Sequence, residues 1–281
     1  IFVNNRMGMG AVMGSKNLKA IAVRGTKDVP IADGKNLGEI YHYFEENFLT
    51  NPLNFLTTQE GIASSVPSCN QDGLFSVRNA QTSFLPGGEI YSTGNFLRGG
   101  SLESVPCFSC PARCKKKVMG NKDIEGCYGA PSMESIVDFG FTLELLDPAF
   151  IFQLHEYSRK YGFDTTSSGV TFGFLAECFE KGLISRKDTG GIEIKFGKKE
   201  GILSLLEEMI KGEGGGKEVG KGVKHLSSIL GRETLSFALE VKGKEFPLHE
   251  PRVKQMLGLG YAVSPSGPDT FVVEHDTDFD E

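Results

Sequence analysis

Cys107, Cys110 and Cys114 stand in the order C-x2-C-x3-C, and Lys115, Lys116 and Lys117 follow at once. Three thiols within eight residues cannot all pair as disulfides, but they can give three thiolates to one metal centre. The spacing suits a cubane 4Fe-4S cluster whose fourth ligand comes from elsewhere. Zinc is the rival, since it too takes four donors. The lysines admit three readings: cations beside an anionic cluster, a docking patch for an acidic electron carrier, or a solvated turn.

A second group of candidates opens the chain. Arg6-x-Gly8-x-Gly10-x3-Gly14-Ser15-Lys16 brings glycines and cations together. Backbone N–H groups freed by glycine can approach an anion. The run is neither the dinucleotide G-x-G-x-x-G nor a P-loop, so anion binding and a plain tight turn both stand. Glu134 lies at the start of an apolar helix pattern. It suits either acid–base work in an apolar setting or the helix dipole. Asp164, Thr165 and Thr166 lie between two helical patterns and suit caps or a polar ligand at a helix start. His249, in His249-Glu250-Pro251-Arg252, is a proton shuttle or a surface histidine.

These residues need elements to hold them. Ala20 to Val23 reads as a short buried strand. Lys35 to Leu49 repeats apolar residues at helical steps. Pro67 to Pro106 reads as loop with short helical pieces, and residues 118–128 as a small hairpin around Gly120-Asn121. Helices then dominate: 131–146, 148–161 with Asp147 as cap, 165–181 with Thr165 or Thr166 as cap, 201–211, 219–230 and 251–263. Residues 235–241 read as extended, and Gly212–Gly216 as a flexible break. No large parallel sheet is expected between residues 130 and 230. The expected class is mainly α.

The chain has 281 residues, 36 of them glycine, and a formal net charge of −6. That charge and the scattered basic residues argue against a nucleic-acid partner. No run of 18 apolar residues suggests a membrane span, and no leader pattern is visible. Six cysteines, three of them clustered, do not form a secreted disulfide scaffold, so a reducing cytoplasm is expected. The first residue is Ile1 and the last six are mostly acidic, which reads as an internal piece of a longer protein.

Taken in order, several motifs resemble the tungsten-containing aldehyde:ferredoxin oxidoreductase family. They are Gly10-Ala-Val-Met-Gly-Ser-Lys-Asn-Leu-Lys-Ala20, the cysteine triplet, Gly162-Phe-Asp-Thr-x-Ser-x-Gly169, and Lys242-Gly-Lys-Glu-x-Pro-x-His-Glu-Pro-Arg252 followed by Gly258-Leu-Gly-Tyr-Ala262. The resemblance implies helical domains 2 and 3 of that type, with a short β remnant of domain 1 at the N-terminus. Residues 1–27 would end the cofactor-binding β domain, 28–211 form the helical iron–sulfur domain, and 217–281 begin the second helical domain. It further implies a tungsten or molybdenum bis-pterin with Mg, a 4Fe-4S cluster on Cys107, Cys110 and Cys114, and pterin contacts from Arg6, Met7, Gly8, Phe163 and Asp164. Glu134 and His249 would be catalytic. The implied reaction oxidises a small aldehyde to a carboxylic acid, with ferredoxin or a similar carrier as acceptor and a homodimer as assembly.

Two departures from the family pattern bear on this. Arg159 stands where the pterin segment usually opens with Asp. Ala130-Pro131-Ser132-Met133-Glu134 stands for G-P-E-Y-E, so one carboxylate is replaced by Ser132. The fourth cluster cysteine belongs further along the family's chain, and here no cysteine follows Cys178. The 281 residues alone are therefore expected to be inactive. Two alternatives stay open: the catalytic subunit of a tungsten-dependent aromatic acyl-CoA reductase, and a non-catalytic iron–sulfur electron-transfer module.

Overall fold

A computed structural model describes residues 6, 8–92, 102–118, 125–126, 128–247, 249–270, 273 and 275–276. The expected hairpin turn at 120–121, Met7 and Cys127 lie outside them.

The first part of the chain makes helices without a core. Helices α1 (Met9–Ser15), α2 (Gly34–Asn47) and α3 (Pro52–Glu60) bury no residue. Helix α2 starts where Asp33 accepts the Asn36 N–H at 3.0 Å, as a side-chain cap should. Its apolar stripe, Leu37, Ile40, Tyr41 and Phe44, is exposed. The buried strand expected at Ala20 to Val23 is not there. Those residues carry no regular structure, and Ile21 and Val23 are 72% and 87% exposed. A strand needs a neighbour to satisfy its ladder groups, and no described segment pairs with this one.

From Val66 onward the chain closes on one core. After helix α4 (Val66–Gln71) come turns and a 3-10 helix at Gly88–Tyr91, and further along β1 (Leu102–Ser104) pairs with β2 (Lys116–Val118). This pair brackets the cysteines, and the hairpin expected over residues 118–128 falls largely outside the described residues. The helix expected over 131–146 is shorter and changes character. Ser132, not Pro131, starts α5 (Met133–Ile136), which widens into a π turn at Val137–Phe141. Helix α6 (Pro148–Tyr161) has Asp147 as cap, Pro148 in its first turn and Gly162 in the left-handed conformation at its end, all as the sequence indicates. Helix α7 (Thr165–Glu180) is capped by Asp164, one residue before the expected Thr165. It is buried almost all round from Thr166 to Cys178, as a helix through the middle of a domain must be.

Helices α8 (Ile202–Lys211), α9 (Gly216–Val219) and α10 (Val223–Leu230) follow, so the expected helix over 219–230 begins later and the turn before it is helical. The glycines at 212–216 are a packed turn. A Cβ on Gly216 would lie 2.2 Å from the Met209 nitrogen, and the Gly216 N–H donates to Glu208 Oε2 at 3.1 Å. Of residues 235–241, expected to be extended, the first three end a 3-10 helix (Arg232–Phe237) and the last two are strand. A two-residue ladder joins β3 (Glu240–Val241) to β4 (Lys244–Glu245), and α11 (Gln255–Val263) closes the described chain.

Ile136, Phe139, Phe141, Leu154, Phe172, Phe174, Leu205 and Leu226 meet in a single cluster. Burying each of the large side chains contributes about 1.5–3 kcal/mol. The class is mainly α, about 52% helical with few strands. Among the described residues no helix is long and apolar enough to cross a membrane.

Candidate functional site

The three cysteines share one loop, 105–115, free of helix and strand. Strands β1 and β2 close its base, with Ser104 opposite Lys116, and the Val105 N–H donates to the Lys115 carbonyl at 2.9 Å. Within the loop Cys110 N–H donates to the Cys107 carbonyl at 3.1 Å. Ser109 and Arg113, each just before a cysteine, hold left-handed φ values of 54° and 46°. Cys107 is exposed, Cys110 and Cys114 are half-buried, and all three are free thiols. Donor type and an uninterrupted loop fit a metal centre. Among the described residues no three His, Cys, Asp or Glu side chains already form a group that could hold an ion. The loop therefore offers donors and freedom, not a finished cage.

The lysines after the triplet are not one solvated stripe. Lys116 is buried, and its Nζ donates to the Thr58 carbonyl at 2.5 Å and to Ser104 Oγ at 2.8 Å. Burial lowers its pKa, while Cys114 acts to raise it and Arg113 to lower it. Lys117 pairs with Glu103 at 2.8 Å.

The start of α7 gathers the second group. Asp164 Oδ2 accepts the Ser167 N–H at 2.7 Å and meets Arg6 Nε at 3.3 Å. The other Arg6 donors reach backbone carbonyls, Glu245 at 2.7 Å and Pro268 at 3.4 Å. Ser167 Oγ donates to Glu245 Oε2 at 2.8 Å, and Glu245 Oε1 accepts the Val223 N–H at 3.0 Å. Beneath them lies Asp138 of the π turn, fully buried. Its Oδ2 accepts Thr165 Oγ1 at 3.0 Å and Thr166 Oγ1 at 2.9 Å. Burial raises the Asp138 pKa well above the usual carboxylate range. The Asp164 charge adds to this, the Thr166 and Thr165 hydrogen bonds oppose it, and Glu134 adds a little more. Helix α7 can come this close because Gly169 has no side chain, since a Cβ there would lie 2.2 Å from the Asp138 carbonyl oxygen.

Arg159, the departure from the family pattern, belongs to the same group. Burial lowers its pKa, and the Glu134 and Asp164 carboxylates oppose that shift. Tyr261 completes it. Its hydroxyl is buried with no hydrogen-bond partner among the described residues, and burial raises its pKa while the Arg6 charge pulls the other way. A buried hydroxyl beside a guanidinium and a helix start is an unfilled contact of the kind a polar heterocycle satisfies.

Of the residues proposed from sequence, Arg6, Asp164 and Glu134 are brought together electrostatically. Phe163 is partly buried and packs against the core, so its ring is a wall and not a free stacking platform. Gly8 takes a left-handed φ of 74° ahead of α1, well suited to glycine, and is exposed.

His249 belongs to another group and is not a surface histidine. It is buried, stacks on Phe75 at 6.4 Å and meets the His275 ring edge-on at 4.5 Å. Burial, with Lys254 and His275 nearby, pushes its pKa down to about 3. His155 also finds a setting the sequence does not disclose. Its Nδ1 lies 2.9 Å from Ser135 Oγ, and burial, then Arg159, push it down to about 3, against a hydrogen bond at Tyr128. The sequence marks Asp138 as one of the carboxylates after the triplet but discloses no partner for it, and it gives Tyr261 no polar role. The only sequence signal for Asp138 is a carboxylate inside an otherwise apolar run, Ile136 to Phe141.

Residues 39–279 match the family model described as aldehyde ferredoxin oxidoreductase, domains 2 and 3. Among curated proteins, a tungsten-containing aldehyde ferredoxin oxidoreductase of Pyrococcus furiosus is 33% identical over 264 residues, covering 93% of this chain and 43% of the relative. The WOR-like subunit of an aliphatic sulfonate oxidoreductase from the same organism is 28% identical over 273 residues, with the same coverage. The chain thus spans well under half the length of these relatives. Among solved structures, the active-site complex BamBC of benzoyl coenzyme A reductase, in complex with 1,5-dienoyl-CoA, shares the fold with a TM-score of 0.65 at 20% identity. That match covers 85% of this chain and 38% of the other.

Proposed function

The chain belongs to the aldehyde ferredoxin oxidoreductase family, and from that premise we propose that it carries the iron–sulfur part of a tungsten-pterin enzyme that oxidises aldehydes. The balanced reaction converts R-CHO and water to R-COOH, two electrons and two protons. The electrons leave one at a time to ferredoxin. The tungsten-pterin group, when bound, supplies the two-electron chemistry. This chain's residues do the rest. Cys107, Cys110 and Cys114 hold the 4Fe-4S cluster, with a fourth ligand from outside the described residues. Asp164, Arg6 and the Tyr261 hydroxyl are the residues that would bind the pterin through hydrogen bonds. Glu134, held near Arg159, is the proton acceptor closest in kind to what aldehyde hydration requires. Residues 1–27, 28–211 and 217–281 then belong to three successive domains.

The observation that carries the proposal is the cysteine loop: three free thiols on eleven residues without helix or strand, closed by a hairpin. The test is anaerobic reconstitution of the chain with iron and sulfide, followed by metal counts and visible absorbance. A cluster lost on Cys110→Ser supports the proposal, and zinc bound at one ion per chain with no iron uptake refutes it.

A second reading is favoured by one observation. Ser132 occupies the place of a family carboxylate, and its hydroxyl caps α5 by accepting the Ser135 N–H at 3.3 Å. With no base there, reduction of an aromatic acyl-CoA is the competing reaction. Aldehyde and aromatic acyl-CoA substrates tested side by side with viologen dyes, on tungsten-loaded protein of the relatives' full length, separate the two.

A further inference from the structure

We propose that Asp138 is a positioning residue whose carboxyl binds the first turn of α7 and so holds Asp164 against Arg6. The geometry is specific. A single oxygen, Oδ2, accepts both the Thr165 and the Thr166 hydroxyl, the two residues that directly follow the Asp164 cap. The π turn supplies this carboxyl from below, and the approach of Gly169 to the Asp138 backbone fixes the separation of the two elements. Asp164 in turn meets Arg6 at 3.3 Å and caps Ser167 at 2.7 Å. One buried group therefore sets the orientation of a half-exposed one. The inference concerns this chain's own packing, and it stands whether or not a pterin is the ligand.

Burial favours the neutral acid form of Asp138, as do its carboxylate neighbours, while the two threonine hydrogen bonds oppose it. The groups that act on it are carboxylates: Asp164 at the start of α7 and Glu134 on its own helix. Tyr261 of α11 is near enough to feel the Asp138 charge, and burial raises its pKa. From α6, Arg159 acts on Glu134 and Asp164, and Arg6 pairs with Asp164. With Oδ2 taken by two donors, the acid proton sits on Oδ1. Asp138 also lines a small cavity with Asn79, whose Oδ1 is buried and has no hydrogen-bond partner among the described residues. A neutral Asp138 leaves Asp164 as the negative partner of Arg6, where two adjacent anions would repel.

The sign for stability follows. Asp138 has a folded-state pKa above its unfolded value. Its stabilising contribution is complete below about pH 4, the ordinary carboxylate range, and is lost as pH rises through the raised folded-state value. Asp138→Asn keeps an oxygen acceptor and cannot ionise, so it should not show that loss. Asp138→Leu removes the acceptor from both threonines.

The experiment uses the 281-residue chain and both variants. Infrared spectra at pH 7 should show the carbonyl stretch of a protonated carboxylic acid, and Asp138→Asn should lack it. Amide exchange at Ser167 and Ser168 should speed up by roughly tenfold in Asp138→Leu, relative to amides of α8, and by less than about twofold in Asp138→Asn. The unfolding midpoint of Asp138→Asn should gain on wild type as pH rises from 5 to 8. Should Asp138→Leu fail to fold, the infrared band and the pH trend of Asp138→Asn decide alone. Absence of the acid band at pH 7, or a parallel pH trend in wild type and Asp138→Asn, overturns the proposal. Unchanged exchange at Ser167 and Ser168 in a folded Asp138→Leu overturns it too.

Discussion

The cysteine loop and the start of α7 solve opposite problems. The loop keeps its reactive groups near solvent: Cys107 is exposed and Phe108 fully so. Its few backbone bonds fix turns, not sulfur positions. The start of α7 keeps its groups buried or half-buried, and Asp138, Thr165, Thr166, Asp164, Ser167, Glu245 and Arg6 are joined by hydrogen bonds. The difference is one of where order comes from. A soft site can take its final geometry from the ion it binds, because metal–thiolate bonds are strong enough to arrange a loop. A hydrogen-bonding site cannot, since each of its bonds is worth only about 1 kcal/mol net and must be arranged beforehand by the fold.

The sharpest way to break the contrast is to replace the thiols. Cys107→Ser, Cys110→Ser and Cys114→Ser should each abolish cluster absorbance after anaerobic reconstitution. Each should leave the unfolding of the metal-free chain within about 0.5 kcal/mol of wild type, the usual range for surface changes. A large loss of metal-free stability would mean the loop is as prebuilt as α7.

Acid should next unfold the body before it affects the loop. His155 and His249 are held neutral in the folded state, with pKa values pushed down to about 3. A depressed folded-state value contributes stability above the unfolded pKa of about 6.5, lost progressively as pH falls toward about 3. Denaturant titrations across that window should show a loss on the order of a few kcal/mol, and His249→Asn should flatten part of it. A flat profile between pH 6.5 and 4 would contradict the burial of both rings.

Asp164→Ala tests the prebuilt site more gently. It removes a helix cap and the partner of Arg6, so roughly 1–2 kcal/mol of stability should go, with Asp164→Asn recovering the cap share. Smallest of all, Phe108→Ser in the loop should change stability by less than about 0.5 kcal/mol. A larger effect would show that the exposed ring packs in solution.

The helical body was legible because its signals are local. Asp147-Pro148 and Gly162 bound α6 by residue type alone, and the apolar content of α7 marks a buried helix. Asp164 and Thr165 are both good caps, so choosing between them needed backbone geometry: Asp164 is extended and Thr165 already helical. The π turn has no composition signature, so residues 131–146 read as one plain helix. The Ala20–Val23 strand failed for a different reason. An apolar run states a wish for burial, but only a partner grants it. The stripe on α2 likewise gave the helix, and among the described residues it stays exposed. In the site, the cysteines were legible as a group because they are close in sequence. Arg6, Asp138 and Tyr261 meet only through the fold, and His249 lies in a buried aromatic pair that no local pattern announces.

Lys116 anchors the hairpin below the cysteine loop through the Thr58 carbonyl and Ser104, and its charge acts on Cys114. In the proposed enzyme this would fix a positive charge beside the cluster that Cys107, Cys110 and Cys114 would hold. A nearby cation favours the more negative, reduced form, and a partly desolvated one is screened less by salt. In that enzyme the hairpin anchor would bias the cluster toward holding its electron, and would raise the pull the acceptor carrier needs to take it.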